Sequence, residues 1–379
     1  MSKSILITSP YLSDIGGTEI EAISTAILFY DSGFFDSVSI FSPTITSREL
    51  YKSMVGTKNI TCFSYPLFFE SKPIQWVNRI FTIFGFHGNF VHYFYWFLIG
   101  FQFDNFFILT YPKSVYFFPI INLKRYGKKF IAKITIWHFM RIPEDHISLY
   151  EKFDRIIVFN DVQQQFWQNQ NYLNNVTVLD IITPNEKELL RIEATRYNEK
   201  KTIVFGYLGR ISKEKNIEDM LKLISHLTNI EKVDCEMMIQ GSGDKFYIKE
   251  LTELIQSLHI DHIVIWNKTF IHPTDTHHFF KLIDILLVTS KEEGGPITAL
   301  EAAAAGRIPM GYNVGAMRQR FEQIPYLVND DFKQLLSSVM SFLKMSIEDK
   351  NTFVLQIREL YQNHLGNSIK KNKLNDLFL

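Results

Sequence analysis

Short apolar runs in this chain repeatedly end near glycine and lead into segments whose apolar residues recur at helical spacing. Ile5 to Thr8 leads to Gly16-Gly17 and then to a helical stretch from Thr18 to about Tyr30. The run from Thr202 to Leu208 ends at Gly209 and is followed by Met220, Leu221, Leu223, Ile224 and Leu227. Met237-Met-Ile-Gln precedes Gly241-Ser-Gly243, and Ile283 to Val288 precedes Gly294-Gly295. Alternation of this kind predicts an α/β fold built on parallel sheets, with glycine turns where strands hand over to helices. Ser37 to Phe41, Phe106 to Leu109, Phe130 to Trp137, Arg155 to Phe159 and Ile263 to Trp266 read as further strands.

A length of 379 residues suggests two domains of ordinary size. The stretch 184–200 is polar and charged, with no apolar run past Leu190, and is read as a linker. The first domain is then 1–183 and the second 201–346. A terminal segment, 347–379, carries the helical pattern Phe353, Leu355, Ile357, Leu360 and Tyr361. Forty basic residues offset forty acidic ones, so no global field points to nucleic acid or to a strongly acidic partner. Cys62 and Cys235 fall in different domains on this reading. That argues against a disulfide framework and a cysteine-type metal site, and fits a reducing cytoplasm. The N-terminal apolar run is too short for a signal sequence and is cut by Pro10.

Phenylalanine, at 34 residues, concentrates between Phe63 and Phe118. The run Phe90 to Leu109 approaches membrane-spanning length, but His92, Gln102, Asp104 and Asn105 interrupt it, so a transmembrane helix is rejected. Two readings stay open. One is a buried helix plus strand; the other is an aromatic surface touching a bilayer or a lipid-linked acceptor, beside the basic cluster Lys124, Arg125, Lys128, Lys129 and Lys133.

The segment Glu293-Gly294-Gly295-Pro296-Ile297-Thr298-Ala299-Leu300-Glu301 reads as a glycine turn opening a helix, with one carboxylate before the turn and another inside the helix. Such a helix start favours a phosphate, and carboxylates on either side of it can hold hydroxyl groups. This resembles the E-x7-E motif of retaining glycosyltransferase family four (the glycosyl transferases group 1 type), with Ala299 in place of the first of two apolar residues. Gly209-Arg210-Ile-Ser-Lys213-Glu-Lys215-Asn216 resembles the family's G-R-x-x-x-x-K-(G/N). The likeness covers roughly residues 200 to 315.

The resemblance implies the GT-B fold, two Rossmann-like domains with an interdomain cleft. It also implies transfer of a sugar from a nucleotide diphosphate, a UDP- or GDP-sugar, to a glycan or lipid-linked acceptor in surface polysaccharide biosynthesis. No cofactor and no metal are expected, and no Asp-x-Asp pair occurs in the sequence. Arg210 and Lys215 would stabilise the departing diphosphate, Glu293 would face the donor sugar and Glu301 the ribose hydroxyls. The turn Gly294, Gly295, Pro296, Ile297 and Thr298 would supply amides, and Trp266 and Asn267 would meet the base. Gly209 lies at the same donor site. On the first, acceptor-binding domain, Gly16-Gly17 would approach the diphosphate and His138 the donor sugar. The terminal helix would return toward that domain. The expected location is cytoplasmic, with the inner face of the membrane as the peripheral alternative.

Other readings carry less. Gly241-Ser-Gly243 lacks the third glycine of a dinucleotide fingerprint, since Phe246 occupies that position. His272, His277 and His278 read as loop surface without zinc spacing. A phosphorylase of the same fold would share the phosphate chemistry, but no pyridoxal lysine signature is identified. A catalytically silent subunit that binds a glycan or a partner enzyme is kept as the alternative. Gly295 stands where the family usually has a bulky residue, and Met310-Gly-Tyr312 is an unusual sequel to the helix.

Overall fold

The computed structural model describes residues 3–9, 16–42, 48–84, 90–110, 118–135, 150–169, 175–198 and 202–379. The chain forms two compact units. The first is Met1–Leu179 with Lys371–Leu379, and the second is Asp180–Lys370.

The first unit holds seven described strands: β1 (Ser4–Thr8), β2 (Ser37–Phe41), β3 (Ile60–Phe63), β4 (Asn105–Thr110), β5 (Lys129–Ile134), β6 (Arg155–Val158) and β7 (Val176–Val178). All pair in parallel, in the order β3-β2-β1-β4-β5-β6-β7. Ile5 to Thr8 lie opposite Asn105 to Ile108. A parallel sheet is covered on both faces, which is why these strands read as unbroken apolar runs. Successive side chains nevertheless go to opposite faces. Phe106 stacks on Phe130 with ring centroids 4.4 Å apart, in the same core as Trp96 and Trp167. Phe107 meets Phe29 of helix α1 (Gly17–Ser32) edge to face at 5.8 Å. On that same side Phe378 packs against Phe29 and Phe35, at 5.6 and 5.2 Å.

The aromatic run resolves into helix α4 (Phe90–Gly100) and strand β4, with part of it buried and part exposed. Trp96, Ile99 and the β4 residues Phe106 to Leu109 are buried, while Phe94 and Leu98 are exposed. The basic cluster needs a correction. Lys133, on β5, is buried and ion-paired with the buried Glu21 of α1, because its strand position points into the sheet–helix layer rather than to solvent. Lys128 and Lys124 are also paired, with Asp104 and Asp154. Trp137 and His138 lie outside the described residues. No helix among the described residues is long and apolar enough to cross a membrane.

The second unit holds β8 (Ile203–Leu208), β9 (Cys235–Gln240), β10 (Val264–Asn267), β11 (Ile285–Val288), β12 (Ile308–Tyr312) and β13 (Val328–Asn329). These are parallel, in the order β10-β9-β8-β11-β12-β13. The chain builds outward from β8 in one direction and then returns to build from β11 in the other. In such sheets the ligand crevice lies at the carboxyl ends of the two strands flanking the reversal. The stretch read as a linker carries its own short helix, Glu186–Leu190, and buries Leu189, Ile192 and Tyr197 within this unit. The helix Ile347–Leu360 belongs to this unit as well.

Removing one member of a buried ion pair strands the other in a low dielectric, at a cost of about 3–5 kcal/mol. Lys133→Met is therefore expected to lower the urea midpoint substantially, and the double change Lys133→Met/Glu21→Leu to recover most of the loss. Equal stability of the two variants would show that the pair is not the source.

Candidate active site

Past the ends of β8, β9 and β10 the backbone continues to pair. Gly209 N–H donates to Gln240 O (3.1 Å), Gly241 N–H to Asn267 O (3.0 Å) and Ile211 N–H to Ser242 O (3.0 Å). Gly241 has φ +156°, and a Cβ on it would lie 1.9 Å from the Gly209 carbonyl oxygen. The glycines at 241 and 243 thus serve close packing of two loops. This fixes the course of Gly209–Asn216, which leaves β8 as a basic turn. The Tyr207 hydroxyl donates to Arg210 O at 2.6 Å. Burial, helped by the charge of Glu293, pushes that phenol far above its ordinary value, so it stays a neutral, fixed donor.

The facing loop follows β11 and is stitched to the first. Thr289 Oγ1 donates to Asn216 O (2.8 Å), Asn216 Nδ2 to Thr289 O (3.2 Å) and Lys291 N–H to Glu214 O (2.8 Å). Between them Lys215 Nζ meets Glu293 Oε1 at 2.5 Å, and Ser290 Oγ donates to the same oxygen at 2.9 Å. Both charged side chains are about one-fifth exposed. Arg210 reaches outward, 71% exposed, with Glu214 at 2.8 Å. The Glu214 carboxyl resists burial's upward push because Ser212 and the nearby cations hold it below the usual carboxylate range.

The turn Glu293–Pro296 is held from beneath by residues with no local signal in the sequence. Arg320 is buried, makes a two-pronged bond to Asp180 (2.7 and 2.5 Å) and donates to Pro296 O at 2.7 Å. Burial alone would raise the Asp180 carboxyl, yet Arg320 and Lys370 outweigh it and the net direction is downward. A Cβ on Gly295 would come within 2.8 Å of the Arg320 guanidinium, which accounts for glycine where a bulky residue is usual. Gly315, at φ +54°, presses on the other side, where a Cβ would stand 2.5 Å from Gly294 O. The Tyr312 hydroxyl donates to Asp219 at 2.7 Å, and Asp219 accepts from Asn216 at 2.8 Å, so Tyr312 braces the first loop.

Helix α10 (Ile297–Ala304) begins at Pro296 with no side-chain cap from that residue on its first-turn amides. Glu301 in its middle is buried and accepts from Thr276 Oγ1 at 2.8 Å. Burial pushes its carboxyl up to about 7, against a smaller downward pull from Thr276. Thr276 opens the short helix Thr276–Phe280, which also carries His277 and His278, so these histidines are helical rather than loop surface.

The structure brings Gly209, Arg210, Lys215, Glu293 and the turn Gly294–Thr298 to the switch point, with Glu301 one helix turn further in. It does not bring Trp266 and Asn267 there. They end the edge strand β10, with β9 and β8 between them and the reversal. Trp266 Nε1 donates to Gly241 O at 3.3 Å, and Lys268 lies over the indole at 5.0 Å. Gly16 is the N-cap of α1 in the first unit, where a Cβ would strike Glu19 Oε2 at 2.5 Å. Gly17 starts that helix. Among the described residues no group of three or more His, Cys, Asp and Glu side chains is arranged to hold a metal.

Set against known proteins, the two parallel-sheet units have the GT-B fold. The glycosyltransferase of Rickettsia africae ESF-5 superposes with a TM-score of 0.74 at 14% identity, covering 100% of this chain and 98% of that one. Anabaena HepE in complex with UDP superposes with a TM-score of 0.71 at 12% identity, covering 99% of each chain. Residues 191–351, which contain both stitched loops and α10, match the family model for Glycosyl transferases group 1. Glycogen synthase of Chlorobaculum parvum is 22% identical over 183 residues, 46% of this chain and 36% of that protein. The chain spans about a third of the length of the curated relatives it matches.

Glu301 yields a pH prediction. An unfolded carboxyl loses its proton near 4.5 and the folded one near 7, so between these values the unfolded state binds fewer protons. Stability from this group is full below the lower value, falls through the window and is flat above it, by about 3 kcal/mol in total. Glu301→Gln keeps an acceptor for Thr276 and removes the decline. Urea unfolding at pH 5 and pH 8 should show the variant losing less stability than the wild type, whereas parallel profiles would refute the assignment.

Proposed function

We propose that this protein is a retaining, metal-independent glycosyltransferase that moves a sugar from a nucleotide diphosphate, UDP or GDP, to a glycan or lipid-linked acceptor in surface polysaccharide synthesis. The observation that carries the reading is the pairing of a cationic loop with an uncapped helix start across the switch point. There Lys215 is paired with Glu293, just ahead of the helix start at Pro296, and Arg210 lies exposed on the same cationic loop. Transfer leaves negative charge on a diphosphate, and fixed cations and amides aimed at that charge lower the barrier without reorganisation. Arg210, exposed and ion-paired with the neighbouring Glu214, turns onto the phosphates. Lys215 is already seated by Glu293. Glu293, held by Lys215 and Ser290, presents its second oxygen to the donor sugar, and Glu301 meets the ribose hydroxyls. Buried, with its carboxyl pushed up to about 7, Glu301 is protonated in part at neutral pH and can donate as well as accept there.

The first unit is assigned to the acceptor. The copy of HepE solved with UDP, and another solved with UDP and glucose, support a uridine nucleotide as the first donor to try. The departures that favoured a silent subunit, Gly295 and Tyr312, have structural partners in Arg320 and Asp219, so they no longer argue for one.

Nucleoside diphosphate release that requires an acceptor separates transferase from binder. Arg210→Ala and Lys215→Ala are each expected to lower turnover by on the order of a hundredfold, the scale set by loss of one preorganised donor. Wild-type rates in both would place the diphosphate elsewhere. Turnover is also expected to persist in EDTA, since protein cations and amides meet the leaving charge. Loss that magnesium or manganese restores would overturn metal independence.

A further inference from the structure

We propose that the outer stripe of helix α3 (Lys72–Ile83), together with the exposed side of α4, seats this protein on an anionic lipid bilayer. Lys72, Trp76, Arg79 and Ile83 are spaced i, i+4, i+7 and i+11, which puts them on one face of the helix. All four are exposed, Trp76 at 64% and Ile83 at 81%. The helix contains no acidic residue. Its orientation is fixed from the other side, where buried Asn78 accepts from Val91 N–H at 2.9 Å and Phe81 stacks on Phe90 at 4.0 Å. Helix α4 adds Phe94 and Leu98, one turn apart and about half exposed, while Trp96 and Ile99 face the core.

Large apolar side chains left exposed along helix faces mark a partner, and the interleaved charges say which. Cation, indole, cation and aliphatic along one stripe is the pattern of a helix lying in a bilayer interface. The indole and the branched chain enter the acyl boundary, and the basic heads meet anionic headgroups. Arg125 extends the positive rim. It lies over the Tyr126 ring, which touches Phe101 at the end of α4. A second copy of the chain is a poorer occupant, because a two-fold contact would bring together two helices that carry basic residues and no acidic one, leaving their cations unmatched.

This surface is independent of the transferase reading, and its test reads sedimentation rather than activity. Full-length protein is mixed at low salt with vesicles of phosphatidylcholine alone or with phosphatidylglycerol in equal parts. It should pellet with the anionic vesicles, stay in solution with the neutral ones and be released by salt. Lys72→Ala and Arg79→Ala should each lower the partition coefficient about fivefold. Trp76→Ser should lower it further while leaving the unfolding midpoint unchanged, since the side chain lies outside the core. Trp76→Phe should keep binding but lose the vesicle-induced blue shift of tryptophan fluorescence. Failure to pellet at low salt, variants that partition like the wild type, or a dimer in solution that Trp76→Ser splits would each overturn the proposal.

Discussion

A parallel strand covered on both faces has little room for a charged side chain until it ends. In both units this single constraint sends chemistry to the loops beyond the carboxyl ends of the strands. In the second unit the constraint is sharpened by backbone pairing that outlasts the strands, from Gly209 to Gly243. Loops anchored in this way cannot drift apart. Thr289, Asn216 and the Lys215–Glu293 pair then close the gap between the segments after β8 and β11. Lys133 is the instructive exception, a cation inside the sheet layer that survives only because Glu21 is buried with it.

Much of this was legible because it is local. Apolar runs, glycine turns and helical spacing within some thirty residues suffice to read parallel strands alternating with helices, and Glu293 to Glu301 could be placed on a turn and a helix from spacing alone. What escaped was non-local or depended on facing. Asp180 and Arg320 are 140 positions apart and nothing near either announces the other. Thr276 and Glu301 are 25 positions apart, and a lone threonine carries no local signal for a buried carboxylate. Lys133 was grouped with Lys124 and Lys128 by proximity in sequence, although a strand's two-residue period sends it inward. The aromatic run was ambiguous for the same reason, since composition does not say which of Phe94 and Trp96 faces out.

The two departures from the motif that the sequence resembles each have their own partner in the structure. With Gly295 reduced to a hydrogen, the Arg320 guanidinium can pass beneath the turn and take the Pro296 carbonyl, and Asp180 neutralises it there. A buried charge of this type needs its partner and further acceptors, and here each guanidinium nitrogen has one, Nε and Nη2 at Asp180 and Nη1 at Pro296 O. On the other loop Tyr312 contributes a hydroxyl where an apolar residue would leave Asp219 with one donor fewer.

Phe378, almost four hundred residues from the start of the chain, completes an aromatic cluster begun by Phe29 and Phe35. During synthesis the ribosome delivers nearly the whole of the first unit before the second is begun, yet that unit waits for its last ring until residue 378 has left the exit tunnel. The unit made first is therefore finished last, and in the interval the α1 side of its sheet presents Phe29 and Phe35 to solvent, an exposure that nascent-chain binding factors recognise.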